Sequence, residues 1–369
     1  MDTKLEQILG RATELSASDI HLSASECVYF RIAGELQPAE ENGVASFDVL
    51  DHQWLSSLAS ELLTDEQLEQ LHHRGSVDAA FSWNDFRFRY NVFRRAGQLC
   101  FSIRQLAQTI PKLDELGIDQ QLYDVCNLKD GLVLVAGPTG SGKSTTIAAL
   151  IDRINQTRSC HVVTIEDPVE YLHPSKQSLV NQRQVGPDVE SFHQALLDSL
   201  RQDPDVILVG ELRDLETIRT AITAAETGHL VFATVHAGDT KTAIERLVSA
   251  YSAEEQNLAQ RLVATVLRTV VVQHLLPVQS LPGGEAEQGG RNRALASERV
   301  HVNSGIANLI AGGNFGQLAS IIQTSGEDGM WTLDESLATL LRRGMISEKT
   351  AKSLARQPEM LSQLARIRR

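Results

Sequence analysis

At 369 residues the chain is long for one folding unit and suggests two or three, with ample sequence for real cores. Apolar residues make up 42% and charged residues 22%, an ordinary soluble composition, and a net charge of −13 argues against nucleic-acid binding through a global positive field. The four cysteines (Cys27, Cys100, Cys126, Cys160) form no CxxC pair, so no zinc ribbon or redox motif is written here, and a reduced cytosolic chain is the simplest reading.

The N-terminal stretch lacks the basic start and apolar block of a signal peptide; Leu5, Ile8, Leu9, Ala12 and Leu15 instead mark one face of a helix. A strand and turn follow over 27–36, then a helical pattern near 51–63. Residues 77–106 alternate apolar and polar, with turn signals at Asn84-Asp85 and Ala96-Gly97, which predicts an antiparallel meander. Together residues 1–106 read as a small α+β domain, and 107–117, punctuated by Pro111 and Gly117, as a linker.

From residue 118 the rhythm changes. Short apolar runs at 131–137, 161–167, 205–211 and 230–236 alternate with helical patterns, predicting an α/β core over 118–278 with a parallel sheet covered on both faces. The most apolar stretch, 262–278, is broken by Arg268, Gln273 and His274 and is too short and polar to span a bilayer. Residues 279–293 are Gly- and Glu-rich, an expected exposed loop, and the remainder to 369 reads as mostly helical, ending in a basic run with Arg366, Arg368 and Arg369.

The chemistry is written most clearly in 137-GPTGSGKST-145, between an apolar strand and a periodic helix. Gly137, Gly140 and Gly142 let the backbone wrap phosphate oxygens, with Pro138, Thr139, Ser141 and Thr145 completing the loop. Lys143 is placed to bind the β- and γ-phosphates and Ser144 to ligate Mg²⁺. No NKxD string occurs, which favours ATP over GTP.

Further along, 206-VILVGE-211 ends an apolar strand in Gly210-Glu211, where many P-loop proteins carry Asp at the position of Gly210. Glu211 would act on the attacking water or the metal shell. Glu166, Asp167 and Glu170 cluster just after a strand, an arrangement that needs a compensating cation. His229 and His236 flank another buried-type strand, and His236 at a strand end is placed to sense the γ-phosphate.

These four segments, GPTGSGKST, TIEDPVEY, ILVGELRD and GHLVFATVHAGDT, resemble in order and spacing the Walker A, Asp box, Walker B variant and His box of the secretion ATPase superfamily that drives type II secretion and type IV pili. The stretches 17-ASDIHLSAS-25, 87-RFRYN-91 and 329-GMWTLDESL-337 are similar to segments of its PilT-type branch, so the resemblance covers nearly the whole chain. It implies a PAS-like α+β domain, then a RecA-like P-loop ATPase domain with a C-terminal helical extension. It also implies a cytoplasmic ring of six that uses ATP and Mg²⁺ to retract pili, docked on an inner-membrane platform protein and working beside other pilus ATPases, without nucleic acid.

By the same resemblance Glu211 and Glu170 are the candidates for polarising water, and His236, supported by His229, couples the γ-phosphate to domain motion. Arg89 and Arg104, with Arg87 as a third candidate, would reach the phosphates from the N-terminal domain. The chain also departs from the pattern. Ala307 and Ala311 stand where an AIRNLIRE-like motif has arginines, His274 replaces a basic residue, and Ala237 replaces a Thr. An accessory PilU-like ring subunit and a type II or type IV secretion motor are the alternative readings.

Overall fold

The computed structural model describes residues 2–32, 35–39, 49–84, 86–106, 109–279, 293–326 and 329–366. They cluster into two compact units, the first ending at Thr109 and the second starting at Ile110.

The first unit opens with α1 (Thr3–Glu14), begun by the Asp2 carboxylate, which accepts the Leu5 amide at 3.0 Å. The 3- and 4-residue spacing of Leu5, Ile8, Leu9 and Ala12 buries one stripe of it. Next come β1 (Asp19–Ser23), β2 (Tyr29–Ile32), β3 (Glu35–Pro38), α2 (His52–Leu62) and α3 (Asp65–Arg74). A Thr64/Gln67 capping box starts α3, and Gly75, left-handed at φ +79°, stops it. The unit closes with β4 (Ser76–Trp83), β5 (Phe86–Arg95) and β6 (Gln98–Gln105).

The six strands form an antiparallel sheet in the order β3-β2-β1-β6-β5-β4. The expected meander over 77–106 is its β4-β5-β6 half, and Ala96 and Gly97 make the second turn at positive φ. Asp85 of the first turn lies outside the described residues. Register sets Asp19 opposite both Arg31 and Arg104.

The second unit takes in Leu113 and Ile118, which are buried against a 3-10 segment at Gln120–Asn127, so the latter half of the expected linker is packed. The alternating core follows as β7 (Gly131–Ala136), α4 (Lys143–Thr157), β8 (His161–Glu166), β9 (Leu179–Gln184), α5 (Phe192–Ser199), β10 (Val206–Val209), α6 (Leu215–Glu226), β11 (Leu230–Val235), α7 (Thr240–Ser249), α8 (Gln256–Val266) and β12 (Leu267–Pro277). Then come β13 (Arg293–His301), α9 (Ser304–Ala311), α10 (Leu318–Thr324), α11 (Leu333–Arg342), α12 (Glu348–Leu354) and α13 (Pro358–Arg366).

The sheet order is β13-β12-β7-β11-β10-β8-β9, parallel except for the β12–β13 pair. Both faces are covered: Leu132 and Leu134 of β7 pack with α6, α7 and α8, while Val133 and Val135 pack with α4. That explains why the central runs carry no polar alternation.

One expectation needs correction. The region after 278 is not only loop and helix, because β13 extends the sheet; its Ala294, Ala296 and Val300 are buried, and its polar Ser297, Glu298 and Arg299 hid that pattern in the sequence. The apolar stretch 262–278 is the end of α8 running directly into β12. Residues 280–292 of the expected loop, and Arg368 and Arg369, lie outside the described residues. Among the described residues no helix is long and apolar enough to cross a membrane.

Candidate nucleotide site

In-register parallel pairing brings the carboxyl ends of several strands to one level. Ala136 of β7 lies beside Val235 of β11 and Val272 of β12, and Val209 of β10 lies beside Ala233 and Ile165. The chain segments beginning at residues 137, 167, 210 and 236 therefore leave the sheet at one edge, the position where open α/β sheets bind ligands.

The loop after β7 is shaped by its glycines. Gly137 takes φ +151°, and a Cβ there would come within 2.5 Å of the Gln273 carbonyl, so no other residue admits so close an approach. Gly142, at φ +90°, turns the chain into α4. Pro138, Thr139, Gly140 and Ser144 are exposed and Thr145 is half-buried. The buried Ser141 hydroxyl has no partner among the described residues.

Lys143, the first residue of α4, folds back so that its Nζ donates to the carbonyls of Gly137 at 3.0 Å and Pro138 at 3.1 Å. Burial pulls its amine below the ordinary lysine range, while the negative charges of Glu211 and Glu170 push the other way. The sequence-predicted Lys143, Glu211 and Glu170 thus share one electrostatic neighbourhood.

Glu211 is held on both oxygens. Its Oε2 accepts from Arg213 Nε at 2.8 Å, and its Oε1 lies 3.4 Å from His236 Nε2. Gly210 before it has a steric cause: its amide donates to the Ile165 carbonyl at 2.8 Å, and a Cβ would sit 3.1 Å from that oxygen. The Thr234 hydroxyl donates to the Gly210 carbonyl.

The acidic cluster divides. Glu166 accepts from Thr164 at 2.7 Å and Gln182 at 3.1 Å, and burial raises its carboxyl pKa, while Asp167 is exposed and Glu170 is the member that acts on Lys143.

The two histidines part company. His236 stands at the carboxyl end of β11 beside Glu211. His229 precedes the amino end of the same strand, its Nδ1 2.9 Å from the Ala224 carbonyl and its own carbonyl accepting the Gly131 amide at 3.1 Å. The six residues of β11, about 20 Å of extended chain, separate His229 from the P-loop edge, so within this chain it is not brought to the phosphate loop. In the first unit Arg104 donates to Asp19 at 2.8 Å, and Arg89 pairs with Asp78 at 3.6 Å.

Four residues escaped sequence reasoning: Arg213, Arg246, which donates to the His236 carbonyl at 2.8 Å, Tyr171, whose hydroxyl lies 2.9 Å from that of Thr145, and Gln273, which donates to Thr146 at 2.7 Å. Gln273 did leave a signal, as a polar residue inside an apolar strand.

Comparison with known proteins gives the family. The type II/IV secretion system protein family matches residues 1–307. The chain belongs to that family. It is a PilT-like ATPase: the type IV pilus retraction ATPase PilT of Pseudomonas aeruginosa is 38% identical over 356 residues, 96% of this chain and 99% of that one. The crystal structure of the pilus retraction motor PilT with bound ADP superposes with a TM-score of 0.87 at 38% identity, covering 98% of this chain and 100% of the other. The type IV pilus ATPase PilU of Pseudomonas aeruginosa is 31% identical over 350 residues, covering 94% of this chain and 87% of PilU.

Proposed function

We propose that this PilT-like ATPase is the motor of a type IV pilus system and that ATP turnover at the P-loop edge powers pilus retraction. The observation that carries the reading is the convergence of Lys143, Glu170, Glu211 and His236 at the carboxyl edge of a parallel sheet. It rests as well on 38% identity to a pilus retraction ATPase along almost the whole chain.

In this reading the phosphates lie in the 137–145 loop against the amide groups of the first turn of α4 and the Lys143 ammonium. Glu211, held by Arg213 and His236, polarises the attacking water, and Glu170 supports the charge on Lys143. The residues present fit a metal that arrives with its nucleotide. Among the described residues no group of three or more His, Cys, Asp or Glu could hold an ion alone, so Mg²⁺ would take Ser144, the phosphate oxygens and, through water, Glu211. The ion would supply charge neutralisation on the transferred phosphoryl group.

His236 reads the γ-phosphate. His229 acts through the turn it caps, not as a ligand. Arg89 and Arg104 exchange their carboxylate partners for phosphate during the working cycle. The domain reading is a PAS-like domain, a RecA-like core and C-terminal helices. The assembly is a homo-hexamer in the cytoplasm, peripheral at the inner membrane through the platform protein of the pilus machinery.

A second reading, an accessory PilU-like ring subunit, is favoured by α9, where Ala307 and Ala311 are half-buried and uncharged. ATPase turnover measured beside pilus retraction, in cells relying on this chain and its Lys143→Ala variant, tests the proposal. Retraction that tracks turnover is expected. Retraction unaffected by loss of turnover contradicts it.

A further inference from the structure

The segment that carries His236 is tied down from three elements. Arg246 of α7 donates to the His236 carbonyl at 2.8 Å, and His274 Nε2 of β12 lies 3.1 Å from the Gly238 carbonyl. The third tie is unlike the others. Glu298 of β13 is fully buried, and its Oε1 accepts the amide of Thr240, the first residue of α7, at 2.9 Å. A carboxylate at that point also meets the positive end of the α7 dipole.

A buried carboxylate needs a cation, and Glu298 takes its cation from far along the chain. Arg356, in the connector between α12 and α13, brings Nη2 to 2.8 Å from Glu298 Oε2. Among the described residues Oε2 has no aligned hydrogen bond, so the contact is chiefly ionic. Arg356 is itself set in place by Asp334, whose two oxygens accept the amides of Arg356 at 2.8 Å and Gln357 at 2.9 Å. Asp334 belongs to the 329–337 segment, where a Thr332/Glu335 capping box fixes α11 and Trp331 Nε1 donates to the Ser297 carbonyl at 3.0 Å.

The geometry points to Glu298 and Arg356 as positioning residues that fasten the His236 segment to the C-terminal helices, so that whatever moves those helices alters ATP turnover. The turnover half of this inference rests on the role proposed for His236. The pair is asymmetric. Arg356 is partly exposed and can be rehydrated, whereas Glu298 cannot. Removing the arginine strands a buried charge, and removing both charges together does not.

The test uses the full chain, with amide exchange over residues 236–243 and ATP kinetics read together. Arg356→Met is expected to speed exchange there about fivefold and to lower kcat about tenfold with KM within about twofold, because a stranded carboxylate costs far more than its neutral isostere. Adding Glu298→Gln keeps an acceptor for the Thr240 amide and is expected to restore both readouts to within about twofold. Parent-like exchange in Arg356→Met, or losses that persist in the double variant, overturns the inference. Faster exchange with parent-like turnover upholds the anchor and overturns the role given to His236. Should Arg356→Met fail to fold, a folded double variant with parent-like exchange supports the pair, and failure of both variants overturns it.

Discussion

The two edges of the seven-stranded sheet carry similar residues and treat them differently. At the amino edge polar groups close on near neighbours: Arg268 donates to Asp130 at 2.7 Å and to the Thr265 carbonyl at 2.6 Å, the His161 amide donates to Asp205 at 2.8 Å, and His229 meets Ala224. At the carboxyl edge Lys143 has only main-chain carbonyls as hydrogen-bond partners among the described residues, two glutamates act on its charge, and a buried Ser141 hydroxyl is left without a partner. These groups of the first edge satisfy one another. The second leaves charge and hydrogen-bonding capacity for a ligand, and that contrast supports the proposed site without reference to any motif.

The contrast can be broken most severely at Lys143. Lys143→Ala is expected to cut ATP turnover at least about a hundredfold while the thermal melt stays cooperative, because the lost charge faces the phosphoryl group as negative charge develops. Near-parental turnover in the folded variant would detach the loop from catalysis. A smaller effect is expected at Gly210. Gly210→Asp pushes a side chain against the Ile165 carbonyl and the Glu166 backbone, and chemical denaturation should read a loss of about 1–3 kcal/mol. An unchanged midpoint would mean that the strand shifts freely and that packing does not explain the glycine.

The smallest effect belongs to the amino edge. His229→Ala removes one hydrogen bond to the Ala224 carbonyl and should cost about 1 kcal/mol of stability, with KM for ATP within about twofold of the parent. A KM raised about tenfold or more would show that His229 meets nucleotide directly, against its place in this chain.

Much of this was legible in advance where a residue type has one structural use. Glycines at positive φ around a phosphate loop and apolar runs buried on both faces leave few alternatives, so the P-loop and the parallel strands could be read from order alone. The strand β13 could not, because Glu298 and Arg299 are buried polar residues whose partners, Arg356 and Gln121, lie 58 and 178 residues away. His229 and His236 look equivalent in one dimension, and only the direction of β11 separates them. Arg213 sits two residues from Glu211 and reads as ordinary surface charge until its bond to that carboxylate is seen.

In the proposed function the carboxyl edge both holds ATP and hydrolyses it, with Glu211 serving the second task. Glu211→Gln separates the two when titration of a fluorescent ATP analogue is run beside steady-state turnover. Affinity within about threefold of the parent and turnover lower by about a hundredfold is the predicted result, since the amide keeps the shape but cannot take a proton from water. Turnover within about twofold of the parent, with affinity intact, would contradict the account and move the water-activating role to Glu170.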